Sequence, residues 1–318
     1  MSTAFYFHPV CIDHDPGSMH PECPDRLRAV AKALEGEEFK ELDRREPPKA
    51  TLEQLDRAHD SDYVRSVLDN VPTEGLVYLD GDTAMSPASG EAALRAAGGI
   101  CAAVDAVVSG KVQNAFCAHR PPGHHAERAQ GMGFCLFNNV AVAAYHARVV
   151  HGLKRVAVVD FDVHHGNGTQ HTFYDDPALF FGSAHQWPAY PGTGMVEERG
   201  VEDDRGASTN CNVPLAPDSG SREFRAAWQD ILLPTLLDFA PDLIIVSAGF
   251  DAHERDPLAN LNVQTEDYSW VTREIMNVAD ECCAGKLVSN LEGGYDLGAL
   301  AASVTVHVKA LMSDSSLY

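Results

Sequence analysis

Short apolar runs and longer amphipathic stretches take turns along this chain. Runs at 4–8, 113–119, 155–163, 178–184, 208–213, 242–249 and 286–291 read as strands. Several are apolar at successive positions, as strands covered on both faces are. Between them, 24–35, 61–69, 87–109, 137–150, 221–239, 266–283 and 296–311 read as helices. Strands alternating with helices predict an α/β fold, with a mostly parallel central sheet and helices on both faces. The helix at 87–109 is well punctuated: Ser86 can cap it, Pro87 suits its first turn and Gly110 its end. Its alanines and Gly98-Gly99 allow close packing on the sheet. No repeat, low-complexity tract or obvious linker interrupts the pattern, so one domain over residues 1–318 is the simplest organisation.

Parallel sheets of this kind bind ligands beyond the carboxyl ends of their strands. Polar clusters fall at those ends. Arg120-Pro121-Pro122-Gly123-His124-His125 follows the run at 113–119, and His185 follows 178–184. Phe250-Asp251-Ala252-His253 follows 242–249, and Glu292-Gly293-Gly294-Tyr295-Asp296 follows 286–291. The densest cluster is Asp160-Phe161-Asp162-Val163-His164-His165-Gly166-Asn167-Gly168. Alternation along an extended chain puts Asp160, Asp162 and His164 on one side. A carboxylate and an imidazole two residues apart can grip a metal, and Asp251 could complete the set. Two carboxylates and one imidazole neutralise a divalent zinc and leave a position for water, whose pKa falls toward about 7 on binding.

His124 and His125 follow a Pro-Pro-Gly turn and could move protons between water, substrate and leaving group, each oriented by a partner. Asp160 and Asn167 are the candidate partners, one per histidine. Tyr295, in a glycine-rich turn, could donate to a substrate carbonyl opposite the metal. Phe134, which follows Gly133, and Tyr190 could wall an apolar slot for an aliphatic chain.

The chain has 318 residues, 45% of them hydrophobic, which is enough for a sizeable core. Its 46 acids against 24 bases leave a net charge of -22. Nucleic acid is a poor partner for such a surface, because phosphates need a basic face. An acidic field either draws cationic substrates toward a cleft or serves solubility alone. The eight cysteines include no C-x-x-C pair and read as reduced thiols, in keeping with a cytoplasmic setting. No apolar run approaches the roughly 20 residues that span a bilayer, and no signal peptide opens the chain, so no membrane association is expected.

Taken together, HPECPDRLRA (20–29), RPPGHHA (120–126), GMGFCLFNNVA (131–141), VVDFDVHHGNGTQ (158–170), SAHQWPAYPGTG (183–194), SAGFDAH (247–253) and LEGGYD (291–296) resemble the histone deacetylase family. They cover nearly the whole chain in family order. Asn167 and the LEGGYD ending resemble class II and bacterial members. The resemblance implies the arginase/deacetylase fold and one catalytic zinc held by Asp162, His164 and Asp251. It implies His124 and His125 as the proton-transfer pair backed by Asp160 and Asn167, and Tyr295 as carbonyl polariser. Gly133, Phe134 and Tyr190 match channel positions, and Arg26 an internal arginine near the channel floor. A structural potassium near Asp160, Asp162, His164, Ser183 and Ala184 is also implied. Cys23, Ala184 and Trp187 depart from the common pattern, Trp187 adding bulk beside the channel. For the rim aspartate that holds the substrate backbone, Asp80 and Asp82 are the candidates. The expected reaction removes an acetyl or similar acyl group from an amine, either acetyl-lysine or an acetylpolyamine. Two other readings compete: a two-manganese ureohydrolase and a catalytically silent acyl-binding protein. Bacterial relatives are often oligomers, so a homo-oligomer is possible.

Overall fold

The computed structural model describes residues 2–313. Residue 1 and residues 314–318 of the expected domain lie outside the described residues. Ten strands are labelled in chain order: β1 Thr3–Tyr6, β2 Asp43–Arg45, β3 Val77–Tyr78, β4 Ala84–Met85, β5 Asn114–Cys117, β6 Val156–Asp160, β7 Leu179–Gln186, β8 Asn210–Leu215, β9 Leu243–Ala248 and β10 Leu287–Leu291. Eight of them form one sheet in the order β2-β1-β5-β10-β9-β6-β7-β8. Every pairing in that sheet is parallel. The two-residue strands β3 and β4 form a separate antiparallel pair.

The apolar runs are explained by their depth. All five residues of β6, Val-Ala-Val-Val-Asp, are buried. One hydrophobic cluster, with Phe161, Trp228, Tyr268 and Val304, covers one face of the sheet. Another, with Ile100, Val104, Val140 and Ala144, covers the opposite face. Burying one such valine or leucine fully contributes about 1.5–3 kcal/mol, so a charge placed at Val158 would break the layer.

The helices follow from local chemistry as well as from packing. Asn138 caps the helix Asn139–His151 by accepting from Ala141 N–H at 3.0 Å, and Gly152 ends it at φ +68°. Asp296 likewise caps Leu297–Met312 through Ala299 N–H at 2.8 Å. No helix among the described residues is long and apolar enough to cross a membrane.

Three expectations are corrected. The strand read over 155–163 stops at Asp160, where the Asp160 carboxylate accepts from Asp162 N–H at 3.0 Å and turns the chain. The helix read from 87 begins at Ser89 without a side-chain cap, since Ser86 Oγ accepts from Asp15 N–H instead. The 221–239 helix carries a π-helical turn at Trp228–Leu232. The short helix Asn167–Phe173 and the polar edge strand β2 were not expected at all.

Candidate active site

Register brings the clusters to one place. Asp160, the last residue of β6, sits opposite Ser247 of β9 and Ser183 of β7. The segments after β5, β6, β9 and β10 therefore leave the sheet side by side at its carboxyl end.

Asp162, His164 and Asp251 each present one possible metal donor there, and the three atoms lie within 4.8 Å of one another. His164 Nδ1 lies 3.1 Å from Asp162 Oδ1 and 3.2 Å from Asp251 Oδ2. The second contact has the distance of an ion pair but no hydrogen-bond alignment: Asp251 Oδ2 is buried without a hydrogen-bond partner. A buried carboxylate oxygen left unpaired is costly unless a cation meets it. The backbone leaves room for one. A Cβ on Gly293 would stand 2.0 Å from Asp251 Oδ2 and 2.6 Å from Asp162 Oδ2, and one on Gly249 would stand 2.1 Å from Asp162 Oδ2. The donor set, the orphaned oxygen and the glycine cradle all fit a divalent zinc.

His124 Nδ1 lies 2.9 Å from Asp160 Oδ2, and His125 Nδ1 lies 2.7 Å from Asn167 Oδ1. The two imidazoles sit 4.0 Å apart, ring centre to ring centre. Their surroundings push them apart in charge. Burial works against protonated His124, but Asp162 and Asp160 overcome it and raise its pKa to about 10. Burial, together with the neighbouring His124 and His164, holds His125 well below the usual range. The carboxylates diverge as well. Burial and Asp162 push Asp251 up, whereas His124 and His164 outweigh burial and hold Asp162 low. Burial raises Asp160 to about 7 despite His124, and raises Glu292 too. Four buried carboxylates in one cluster call for cationic company.

A cavity of about 230 Å³ opens above these groups, lined by Asp82, His125, Gly133, Phe134, His164, Tyr190, Leu258 and Tyr295. Phe134 stacks edge-on to Tyr295 at 6.0 Å, and Tyr190 edge-on to His125 at 5.0 Å. Asp82 lines the cavity. Asp80 does not: its Oδ1 accepts from the N–H groups of Asp82 and Thr83. Trp187 lies outside the lining as well, its backbone N–H donating to Leu215 O. Ser183 and Ala184 are buried in β7, with Ser183 Oγ 2.9 Å from His185 Nδ1. Cys23 stands at the start of helix Pro24–Ala33 without capping it, and all eight cysteines are free.

Arg26 lies beneath the site, fully buried, with its guanidinium 4.8 Å from the Tyr295 ring centre. It donates to the carbonyls of Gly294 and Glu292 and, at 2.9 Å, to Glu22 Oε1. Glu22 also receives Arg120 and is itself fully buried. Sequence reasoning missed Glu22, Asp256, Glu292 and Leu258. Asp256 Oδ2 accepts Tyr295 N–H at 2.7 Å, and Glu292 Oε2 accepts Gly123 N–H at 2.6 Å. Only Glu22 and Glu292 carried a signal, since both lie inside quoted motifs.

The eight-stranded parallel sheet with its helices has the arginase/deacetylase fold, and the donor cluster lies beyond its strand ends. The model of the histone deacetylase domain matches residues 20–311. The Arabidopsis thaliana protein named histone deacetylase 14, chloroplastic, is 41% identical over 94% of this chain and 74% of its own length. The histone deacetylase-like amidohydrolase of Pseudomonas aeruginosa is 37% identical, over 92% of this chain and 81% of its own. A solved crystal structure, that of the HDA15 HD domain, superposes with a TM-score of 0.91 at 37% identity, covering 98% of this chain and 88% of that one. This chain belongs to the histone deacetylase family, a family of amide hydrolases.

Proposed function

We propose that the chain is a zinc-dependent deacetylase that removes an acetyl or similar acyl group from the amine of an acetyl-lysine-type substrate. The carrying observation is the convergence of three donors within 4.8 Å beneath a narrow cavity lined by His125 and Tyr295. Asp162, His164 and Asp251 would hold the zinc. When bound, it supplies Lewis-acid polarisation and lowers the pKa of water toward about 7. Phe134 and Tyr190 bracket an aliphatic stem and keep water from it. Tyr295, whose hydroxyl burial holds well above its usual pKa, stays protonated and donates to the acyl oxygen. His125, facing Asn167 through Nδ1, takes the proton of the attacking water at Nε2. His124, held by Asp160, returns a proton to the departing amine. The products are a carboxylate and a free amine.

The finer assignments follow from the same reading. Asp82 is the rim carboxylate nearest an entering substrate backbone. The excess of buried carboxylates supports a second, monovalent cation, potassium, near Asp160, Asp162, His164, Ser183 and Ala184. We read the chain as one deacetylase domain working in the cytoplasm, open to assembly as a homo-oligomer.

The test is hydrolysis of an ε-acetyl-lysine peptide beside N-acetylputrescine and N-acetylspermidine, with metal content measured on the same sample. The expected result is one zinc per chain, peptide turnover, loss of activity on chelation and recovery on zinc addition. Faster turnover of the polyamines would move the substrate assignment to small amines. Undiminished activity after metal removal would overturn the mechanism.

A further inference from the structure

The two histidines differ in what stands behind them. His124 faces a carboxylate, and both oxygens of a carboxylate accept. His125 faces an amide, which accepts at one end and donates at the other. Asn167 therefore needs something to set which end meets His125. Nδ2 of Asn167 donates to Glu127 Oε1 in its shortest contact, with the His125 carbonyl and Met132 Sδ farther off at 3.4 and 3.5 Å. An ionised carboxylate only accepts, so it can be matched only by the amide's NH₂ end. That leaves Oδ1 toward His125 Nδ1 at 2.7 Å, and Nδ1 must carry the hydrogen. The reversed amide would set Oδ1 against the Glu127 carboxylate, two acceptors facing each other at a residue only 2% exposed.

Glu127 lies outside the substrate cavity. It lines a separate one of about 330 Å³ on the other side of Asn167, with Arg128, Tyr145 and His171. Its two oxygens also lie 2.8 and 2.9 Å from Nδ1 of His171, which is half-exposed. That hydrogen bond to Glu127 outweighs burial and raises the His171 pKa. Asn167 sits at the start of the short helix Asn167–Phe173, which carries His171 one turn on.

We propose that Glu127 is a positioning residue: it fixes the orientation of the Asn167 amide and, through it, holds His125 as the tautomer protonated on Nδ1. Nε2 is then the free base that faces the substrate side. This rests on the reading of His125 as proton acceptor given above. It also explains how an amide can stand where a carboxylate would do the same job unaided.

The test uses the zinc-loaded full chain, an ε-acetyl-lysine peptide, and Glu127→Ala and Glu127→Gln in two backgrounds, native and Asn167→Asp. A general base contributes roughly 10²–10⁴-fold, so a partly misoriented one should cost Glu127→Ala about 10–100-fold in kcat, with KM within about threefold. Glu127→Gln can turn either its oxygen or its NH₂ toward Asn167, so it fixes the amide less firmly and should fall between the native chain and Glu127→Ala. In Asn167→Asp no orientation is left to choose, and Glu127→Ala should there cost less than about threefold. An equal fold-loss in both backgrounds marks a packing role and overturns the proposal. Ring ¹⁵N shifts of His125 give a readout independent of turnover. Nδ1 protonation in the native chain that is lost or mixed in Glu127→Ala supports the proposal, and unchanged shifts overturn it. Should the native chain hydrolyse no acylated amine, the functional reading fails while these shifts still decide the role of Glu127.

Discussion

Replacing Glu22 with alanine should be among the most damaging single changes outside the donor cluster. Glu22 is fully buried between two guanidinium groups, with Arg26 Nη1 at 2.9 Å, Arg120 Nη2 at 2.8 Å, Arg120 Nε in contact and His14 Nε2 at 3.4 Å. Burial works to raise the Glu22 carboxyl, yet Arg120, His14 and Arg26 overcome it and hold it well below the usual carboxylate range. Without Glu22 the arginines keep neutral acceptors: Gly294 and Glu292 carbonyls for Arg26, Cys11 and His14 carbonyls for Arg120. Among the described residues, Glu22 is the one ion-pair partner that either arginine has. Breaking a buried pair by removing one partner costs about 3–5 kcal/mol, and two stranded cations place this case near the upper end. At roughly 2 °C per kcal/mol for a chain of this size, the melting temperature should fall by about 10 °C. Glu22→Gln keeps the shape and loses the charge, so it should fall between. The pH sign follows from the depressed pKa. Glu22 stabilises the fold above its unfolded pKa of about 4.3, and that contribution is lost as pH falls through the lower folded value. Urea melts at pH 7 and at pH 3 measure both effects. A Glu22→Ala cost below about 1 kcal/mol at pH 7 would refute the reasoning, because exposed pairs are worth no more than that.

Two further outcomes are expected. Gly293→Ala puts a Cβ 2.0 Å from Asp251 Oδ2 and disturbs the residue whose N–H donates to Asp162 Oδ2 at 2.9 Å; zinc affinity, measured by competition with a chromophoric chelator, should drop by roughly 10–100-fold, and a change within about twofold would contradict the cradle. Tyr295→Phe should lower kcat by roughly 10²–10³-fold with zinc content unchanged, and unaltered turnover would remove Tyr295 from the mechanism.

The sheet was legible because its strands are buried on both faces: β6 opens on Val-Ala-Val-Val and β9 on Leu-Ile-Ile-Val, runs with no polar break. β2 escaped because an edge strand of Asp43-Arg44-Arg45 has no apolar face to betray it. Asp162 and His164 were legible as a pair from spacing, although Asp160 ends the strand and the pair sits on a turn rather than on an extended chain. Glu22 lies inside a motif, but its burial and its partners were not legible. Four residues from Arg26 it reads as half of an ordinary surface pair, and only Arg120, 98 residues away, shows that it is buried. Glu127 was hidden in the same way, since its partner Asn167 lies 40 residues on. Charged groups whose role comes from distant packing leave no local period to read.

The tetrapeptide Glu292 to Tyr295 explains why the Glu22 cluster should matter to turnover and not to stability alone. The carbonyls of Glu292 and Gly294 accept from Arg26, and the Glu292 carboxylate holds the Gly123 and His124 N–H groups. Gly293 N–H holds Asp162, and Tyr295 N–H is held by Asp256. Gly294 makes the bend at φ +120°, a conformation that L side chains rarely adopt. One short turn is therefore tied at once to the buried arginine, to the histidine loop, to Asp162 of the donor cluster and to the tyrosine proposed to polarise the substrate. Arg26 is the tie that Glu22 keeps in place. With Glu22 gone, Arg26 keeps the two carbonyls but carries an uncompensated buried charge, so its hold on the turn loosens. Glu22→Ala, assayed well below its own melting temperature, should then show a kcat reduced by roughly tenfold or more, in the manner of other outer-shell losses. A variant with native kcat but a lowered melting point would show that the turn holds its shape without Arg26.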